Sequence, residues 1–359
     1  MKNQMTTPLS PADLLATRNN RLVLQATLAP VAGKTRFQPA GFPEIGHVLY
    51  NAPDNQKVCI VDSAASMANH LETVCTNGFD LSLVDELDGL PYVECVTGAD
   101  RHEVVVTSLS EGHRLASDYF LKGARLVDNL PEDRTFGTVL LADEFGLRDL
   151  GNKTHPLPAQ WWNVFTTIFR YDPNSLVHGI LFPAMGIKLP RVLTATLDAF
   201  GADRVATSGV KFDKLGKTNS GQPIFAKDEE TASEIRATFT VDVSLIRSFG
   251  RGNDGLNMGQ KQFVLGFALW KIGKLLASPF RFRSECDLEL TGLQIDGDKS
   301  DVAALAIDVQ ALIKEAGFQE PRVTRIYWND SELFKAAKDT TDGGSTDTND
   351  EDDPSVDAE

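Results

Sequence analysis

From Arg236 to Leu245 the chain alternates polar and apolar residues without a break. Ala237, Phe239, Val241, Val243 and Leu245 fall on one side, and Thr238, Thr240, Asp242 and Ser244 on the other. A period of two is the mark of a strand with one buried and one solvated face. Leu22–Leu28 repeats the pattern, with Leu22, Leu24, Ala26 and Leu28 set against Gln25 and Thr27. A chain holding such strands must build a sheet that covers one face.

The covering elements are legible as well. Gln260–Ala277 carries Phe263, Phe267 and Trp270 at helical spacing and stops before Pro279. Asp62 and Ser63 can cap a helix through Met67, Leu71 and Val74. Ser300–Ala316 reads as a helix with Ser300 as its cap, Val302, Leu305, Val309 and Leu312 on its apolar side and Gly317 at its end. Trp161–Tyr171 reads as a short helix ended by Pro173, and Arg191–Phe200 as a helix closed by Gly201. Further strands are expected at Glu103–Ser108 (buried), around Cys286, Leu288 and Leu290, and at Val323–Trp328. Helices and strands interleave without the regular spacing of a doubly wound parallel sheet. An α+β fold with a mostly antiparallel sheet is therefore expected. Residues 128–158, rich in Pro, Gly, Asp and Asn, read as an irregular insertion, and 207–235, with Asn219-Ser220-Gly221, as an inserted hairpin.

Charge bears on the partner. The net charge is −15 over 359 residues, which argues against a generally basic nucleic-acid binder. Its distribution alters that inference. Residues 339–359 hold nine acids and no Lys or Arg, so −6 remains on 1–338. Residues 62–103 carry −8, while 165–227 and 242–285 carry +4 each. The tail is low in complexity and is expected to be disordered. There is no apolar run long enough for a signal peptide or a membrane span. Four cysteines without a CxxC are neither a disulfide framework nor a zinc motif. A soluble cytoplasmic protein with no membrane partner is expected.

Motifs for chemistry are few. Gly250-Arg251-Gly252-Asn253-Asp254-Gly255 matches GxGxxG. It lies late in the chain, its next glycine (Gly259) precedes the helix, and no acid ends a strand about 20 residues on. A polyanion contact, with Arg247, Arg251 and Lys261 flanking the loop, fits better than a dinucleotide. The six histidines show no HxH or HExxH spacing. Glu111-Gly112-His113-Arg114 places one His near one Glu, and no GxSxG or GxxxxGK[ST] occurs. No catalytic residue, cofactor or metal site is expected. Lys34–Pro43 interleaves cations with Phe37 and Phe42, a composition suited to phosphate contacts and stacking.

Several segments, in chain order, resemble a known family. They are the stretch around Lys34–Pro43 (TRFQPAGFPEIG); Val61–Glu72 (VDSAASMANHLE); Thr107-Ser108 with Glu111–Arg114; His178-Gly179 with Leu189-Pro190-Arg191; Ser208–Lys211; and Arg281-Phe282-Arg283 with Cys286–Glu289. Together they are similar to the backbone subunit of the type I-G (formerly I-U) CRISPR surveillance complex, in the RAMP superfamily. The resemblance implies a modified RRM-like (ferredoxin-like) core, βαββαβ with an antiparallel sheet, over residues 1–338. It implies a helical insertion near 113–175 and a thumb-like hairpin near 207–235. It also implies polymerisation along a CRISPR RNA, guide segments left free to pair with target DNA, other complex subunits as partners, and cleavage left to a recruited helicase-nuclease.

On that reading Lys34, Arg36 and Gln38 contact the guide or a neighbouring copy. Lys211, Lys214 and Lys217 on the hairpin, and Arg247, Arg251 and Lys261 at the glycine-rich loop, contact phosphates; Arg114, Lys188 and Arg191 are further candidates. No clean RNP aromatic motif is present, so backbone contacts are expected in place of base stacking on the sheet. The alternative is a metal-assisted endoribonuclease of the same superfamily using Asp62, Asp213 or Asp254.

Overall fold

The computed structural model describes residues 7–41, 46–98, 100–125, 134–149, 154–205, 229–277, 279–329 and 333. The alternating segments enter one eight-stranded sheet whose pairings are all antiparallel. Across it run Phe280–Arg283, Cys286–Ile295, Arg21–Pro30, Glu234–Asp242, Leu193–Phe200, Lys57–Asp62 and Leu49–Asn51, with Asp298–Ser300 paired to Cys286–Ile295. The four long central strands lie in the spatial order fourth, first, third, second by chain position. The helix Ala64–Thr73 lies in the connection after the first of them and the helix Met258–Leu276 after the third.

Register sorts the two faces. Leu24 stands opposite Phe239, and Phe239 opposite Ala195, all buried. Both helices pack on this side. On the other side Gln294, Gln25, Thr238 and Thr196 form a row across four strands. That face is mostly polar; its Phe200 ring is covered by the Arg236 guanidinium, 4.4 Å from the centroid, and no row of aromatic platforms forms.

Met258–Leu276 is buried from Phe263 through Gly273 without a break, as a helix enclosed on every side must be. It is flanked by the helices Val309–Ala316, Pro11–Ala16 and Pro173–His178 as well as by the sheet. At Gly273 a Cβ would lie 2.8 Å from the Leu305 carbonyl oxygen, so only glycine allows that approach. A second sheet joins Glu103–Thr107, Tyr92–Thr97, Val323–Tyr327 and Ala124–Arg125. Its Val323–Tyr327 strand runs parallel to Tyr92–Thr97. No helix of the described residues is long and apolar enough to cross a membrane.

Four sequence expectations are corrected. Arg191–Phe200 is not a helix: Leu193–Phe200 is a central strand, with Leu193, Ala195, Leu197 and Ala199 buried in alternation. Gly201, at φ 61°, makes the turn that follows it. The strand at Arg236 ends at Asp242, whose carboxylate accepts from Leu245 N at 2.8 Å and starts the helix Val243–Ser248. Glu103–Thr107 is an edge strand and not buried throughout: Glu103 and Val104 are exposed, Val105 and Val106 half-buried, and Thr107 buried. Ser300 ends the short strand Asp298–Ser300; Asp301 begins a short 3₁₀ turn, and Asp308 caps Val309–Ala316. Tyr171 does end its helix, and Pro173 opens the next one.

Asp203–Val205 pairs antiparallel with Glu229–Thr231. The segment between them, 206–228, lies outside the described residues, and with it Lys211, Asp213, Lys214, Lys217 and Asn219-Ser220-Gly221. The tail 339–359 and parts of 128–158 lie outside them too. The facing rule gives a direct check. Phe239→Ala should lower stability by about 3–5 kcal/mol, whereas Thr240→Ala, on the open face, should change it by less than about 0.5 kcal/mol, read by denaturant unfolding.

Candidate nucleic-acid interface

Apart from Ser208–Lys211, which lies outside the described residues, the segments that carry the family resemblance meet at the two ends of one helix, Ala64–Thr73. Its start is organised by Asp62, which is 1% exposed. Oδ1 of Asp62 accepts from Ser63 N at 3.0 Å and faces the Arg283 guanidinium at 3.0 Å. Oδ2 accepts from Ser66 Oγ at 3.1 Å and lies 3.0 Å from His70 Nε2. The His70 ring sits edge-on to Phe280 and Phe282, with centroids 5.2 and 5.1 Å away. Arg283 also donates to the carbonyls of Val61 (2.8 Å) and Gln38 (3.2 Å). An aspartate so engaged is a structural pivot, with no lone pair turned toward solvent.

Arg283 thereby holds the Lys34–Ala40 segment against the sheet. Phe37, buried, exchanges backbone hydrogen bonds with Glu230 in the hairpin stem, and Thr231 Oγ1 donates to Thr35 O at 2.8 Å. Arg36 lies 3.3 Å from Glu229 and keeps 59% of its side chain exposed. Lys34 is exposed and Gln38 half-buried. These three candidates therefore stand beside the paired strands Asp203–Val205 and Glu229–Thr231, between which Lys211, Lys214 and Lys217 fall in the sequence.

The other end of the helix buries Glu72. Its carboxylate takes a two-pronged pair from Arg114, at 2.7 and 2.8 Å, and a 2.6 Å hydrogen bond from the Asn174 amide. Lys271 donates to Asn174 Oδ1 and lies 3.0 Å from His178 Nε2. Ser175 Oγ donates to Asp172 and accepts from Leu115 N at 3.4 Å. Asp172, Asn174, Ser175, His178 and Lys271 are buried to 1% exposure or less. Burial pushes the Asp172 carboxyl up to about 7 against the pull of the Ser175 hydroxyl. It holds the His178 imidazole well below its ordinary value, helped by the nearby Lys271, and lowers Lys271 as well. Sequence reasoning misses this network; its signal is a lysine and a glutamate inside otherwise apolar helical faces.

Above it opens a groove of about 310 Å³, lined by Gly112 to Arg114, His178 to Leu181 and Lys188 to Arg191. Gly179, at φ 76°, lets Leu189 and Arg191 close in: a Cβ there would lie 2.8 Å from Leu189 O. Lys188 is exposed at the rim. Arg191 donates to Ala64 O at 3.0 Å, and Arg114 is engaged by Glu72. Contacts thus link Gln38 through Arg283 to Asp62 at the start of the helix, and Arg191 to Ala64 in its first turn.

The glycine-rich loop is elsewhere and has a different purpose. Gly250–Arg251 and Asp254–Gly255 pair as a tight hairpin, where a Cβ on Gly250 would meet Leu256 O at 2.2 Å and one on Gly255 would meet Phe249 O at 2.3 Å. Arg247 donates to the carbonyls of Leu14, Leu15, Thr17 and Asn19, and Lys261 donates to Gly250 O. Both cations hold the fold together; Arg251 and Asp254 are exposed on the hairpin. His113 and Glu111 pair at 3.1 Å with the imidazole 83% exposed. Among the described residues, no group of three or more His, Cys, Asp or Glu is placed to hold a metal.

Two measurements check this account. Glu72→Ala leaves the Arg114 charge buried without its partner and should destabilise by about 3–5 kcal/mol. Asp172 binds its proton more tightly when folded, so its contribution is lost as pH rises from the ordinary carboxylate value of about 3.9 to about 7. His178, depressed, works in the opposite sense, losing stability as pH falls below its ordinary value of about 6.5. The comparison is therefore between chains: Asp172→Asn should gain stability relative to the native chain as pH rises from 4 to 7, and hold a constant difference above.

The family model described as CRISPR-associated protein GSU0053 matches residues 22–204. The crystal structure of Thermofilum pendens Csc2 aligns with 94% of this chain and 81% of its own, at 12% identity and a TM-score of 0.29. No curated protein matches the chain. The matched stretch starts in the first long strand, runs through both ends of the Ala64–Thr73 helix and the groove, and reaches the base of the hairpin. It covers just over half of the 359 residues, and with the ordered motifs of a type I-G surveillance subunit it establishes that this chain belongs to the CRISPR-associated GSU0053 family.

Proposed function

We propose that this protein is a cytoplasmic, non-catalytic RNA-binding subunit that polymerises along a CRISPR RNA in a DNA-targeting surveillance complex. Its core is read as a modified RRM-like unit; the fourth, first, third, second order of the long strands, with a helix in the connections after the first and third, supports that reading. Copies line the guide, the hairpin between Val205 and Glu229 acts as a thumb, and the guide bases between thumbs stay free to pair with target DNA. Other subunits complete the complex, and a helicase-nuclease recruited on target binding does the cutting.

The observation that carries this reading is the seating of the Lys34–Ala40 segment on the hairpin stem. It sets exposed Lys34 and Arg36 beside the origin of a lysine-bearing excursion. Contacts of that kind grip the phosphate backbone and accept any guide sequence. The polar open face of the sheet agrees, since it offers no row of aromatic rings to stack bases. Arg251 and Lys188 are further phosphate candidates by exposure. Arg114, Arg191, Arg247 and Lys261 are bound to protein groups and act by shaping the loops.

RNA affinity should fall steeply with salt and vary little with spacer sequence. Lys34→Ala with Arg36→Ala should reduce the slope of log affinity against log salt by about 0.7 for each phosphate that is no longer neutralised, in a titration by fluorescence anisotropy. A flat salt response, or one unchanged by these substitutions, refutes the assignment. Incubating the assembled complex with Mg²⁺ and complementary RNA should leave that RNA intact. The engagement of Asp62 by Arg283, His70 and Ser66 supports this expectation, and regularly spaced RNA products would instead favour the endoribonuclease alternative through Asp213 or Asp254.

A further inference from the structure

Two surface features of this chain complement each other. The first is the turn Asn77–Ser82. Asn77 N donates to Ser82 O at 2.8 Å, the Asn77 side-chain amide donates to Leu83 O at 2.9 Å, and Ser82 donates to Asp80 Oδ1 from both N (2.9 Å) and Oγ (2.8 Å). Leu81 takes the left-handed conformation, φ 59°, to close it. At the tip of this ordered turn Phe79 is 107% exposed, so the ring touches nothing in its own chain. Exposed carboxylates follow it at Asp80, Asp85 and Asp88. A large aromatic ring held in water by a fixed turn is a knob awaiting a socket.

The second feature is the groove above Glu72. Ile180, Leu181, Leu189 and Pro190 give it apolar walls, Gly112 and Gly179 keep it open, and Lys188 and Arg191 make it positive. Leu181 is 54% exposed there. The turn belongs to the −8 stretch and the groove to a +4 stretch, so one copy presents to another both an apolar fit and opposite charge. Arg114 and Arg191 are already bound to Glu72 and Ala64 O, which leaves the groove better suited to an aromatic ring with a carboxylate beside it than to a run of phosphates.

We infer that the Phe79 turn of one copy seats in the Lys188–Arg191 groove of a second copy. This rests on the self-assembly part of the proposed function and names a contact for it. The test uses the full chain purified free of RNA. The four native cysteines are all buried, so Phe79→Cys and Leu181→Cys each add one accessible thiol. Mixed under mild oxidation, the two variants should form a disulfide-linked pair that neither forms alone. Phe79→Ala, at a site that touches nothing in the fold, should weaken self-association by about tenfold or more in sedimentation, with affinity unchanged for an RNA too short to hold a second copy. No linked pair in the mixture, or association unaltered by Phe79→Ala, overturns the inference. Loss of RNA affinity with association unchanged also overturns it, by making the ring an RNA contact. A chain that fails to bind RNA but still forms the linked pair would refute the RNA reading and leave this contact standing.

Discussion

The pairing of Glu72 with Arg114 is the interaction on which the rest of the architecture depends. A carboxylate brought to 3% exposure must find partners or be neutralised, and the partners that Glu72 finds come from distant parts of the chain. Arg114 arrives from the turn after the second sheet's edge strand, and Asn174 from the short helix that Pro173 opens. Through Asn174 the same chain of hydrogen bonds reaches Lys271 in the most deeply buried helix. Such a network contributes less to stability than its contacts suggest, because desolvation offsets most of the attraction. Its larger effect is geometric: the polar groups are satisfied in one arrangement, and that arrangement sets where the groove-forming loops lie.

Some of this is legible in the residues and some is not. The strands at Leu22 and Arg236 declare themselves because one face is buried and the other wet. Leu193–Phe200 imitates a helix because Ala195, Leu197 and Ala199 carry no strong strand propensity, and Gly201 resembles a helix end; tertiary pairing on both sides overrides the local preference. The overrun past Asp242 has a similar origin, since Val243 and Leu245 continue the alternation while the Asp242 carboxylate has already turned the backbone. The long apolar helix is plain, but the importance of Lys271 within it is not, because a buried lysine has meaning only beside partners such as Asn174 and His178, roughly a hundred residues away in sequence.

The basic residues show the same division. Clustering of charge marks Arg247 and Lys261 beside a glycine-rich loop, a pairing that imitates a phosphate cradle. In space Arg247 gathers four carbonyls of the N-terminal segment and Lys261 closes the hairpin. Charge in a sequence reports capacity for an ion pair or hydrogen bond; only three-dimensional placement tells whether that capacity is used within the fold. By that measure Lys34, Lys188 and Arg251 stay turned outward, and Arg36, paired with Glu229, keeps most of its side chain exposed. Gly250 and Gly255 of the same loop are explained by backbone crowding, with Leu256 and Phe249 carbonyls where side chains would be, and Gly252 by its positive φ.

The stem formed by Asp203–Val205 and Glu229–Thr231 has a consequence for how such a chain can diversify. The excursion it supports leaves and returns at two paired points, just beyond the ends of Leu193–Phe200 and Glu234–Asp242. Whatever lies between Val205 and Glu229 can lengthen, shorten or change composition without shifting the register of any central strand. The fold thus separates an invariant frame from an exchangeable arm. Divergence can be concentrated between two paired points while the pairings of the central strands stay as they are.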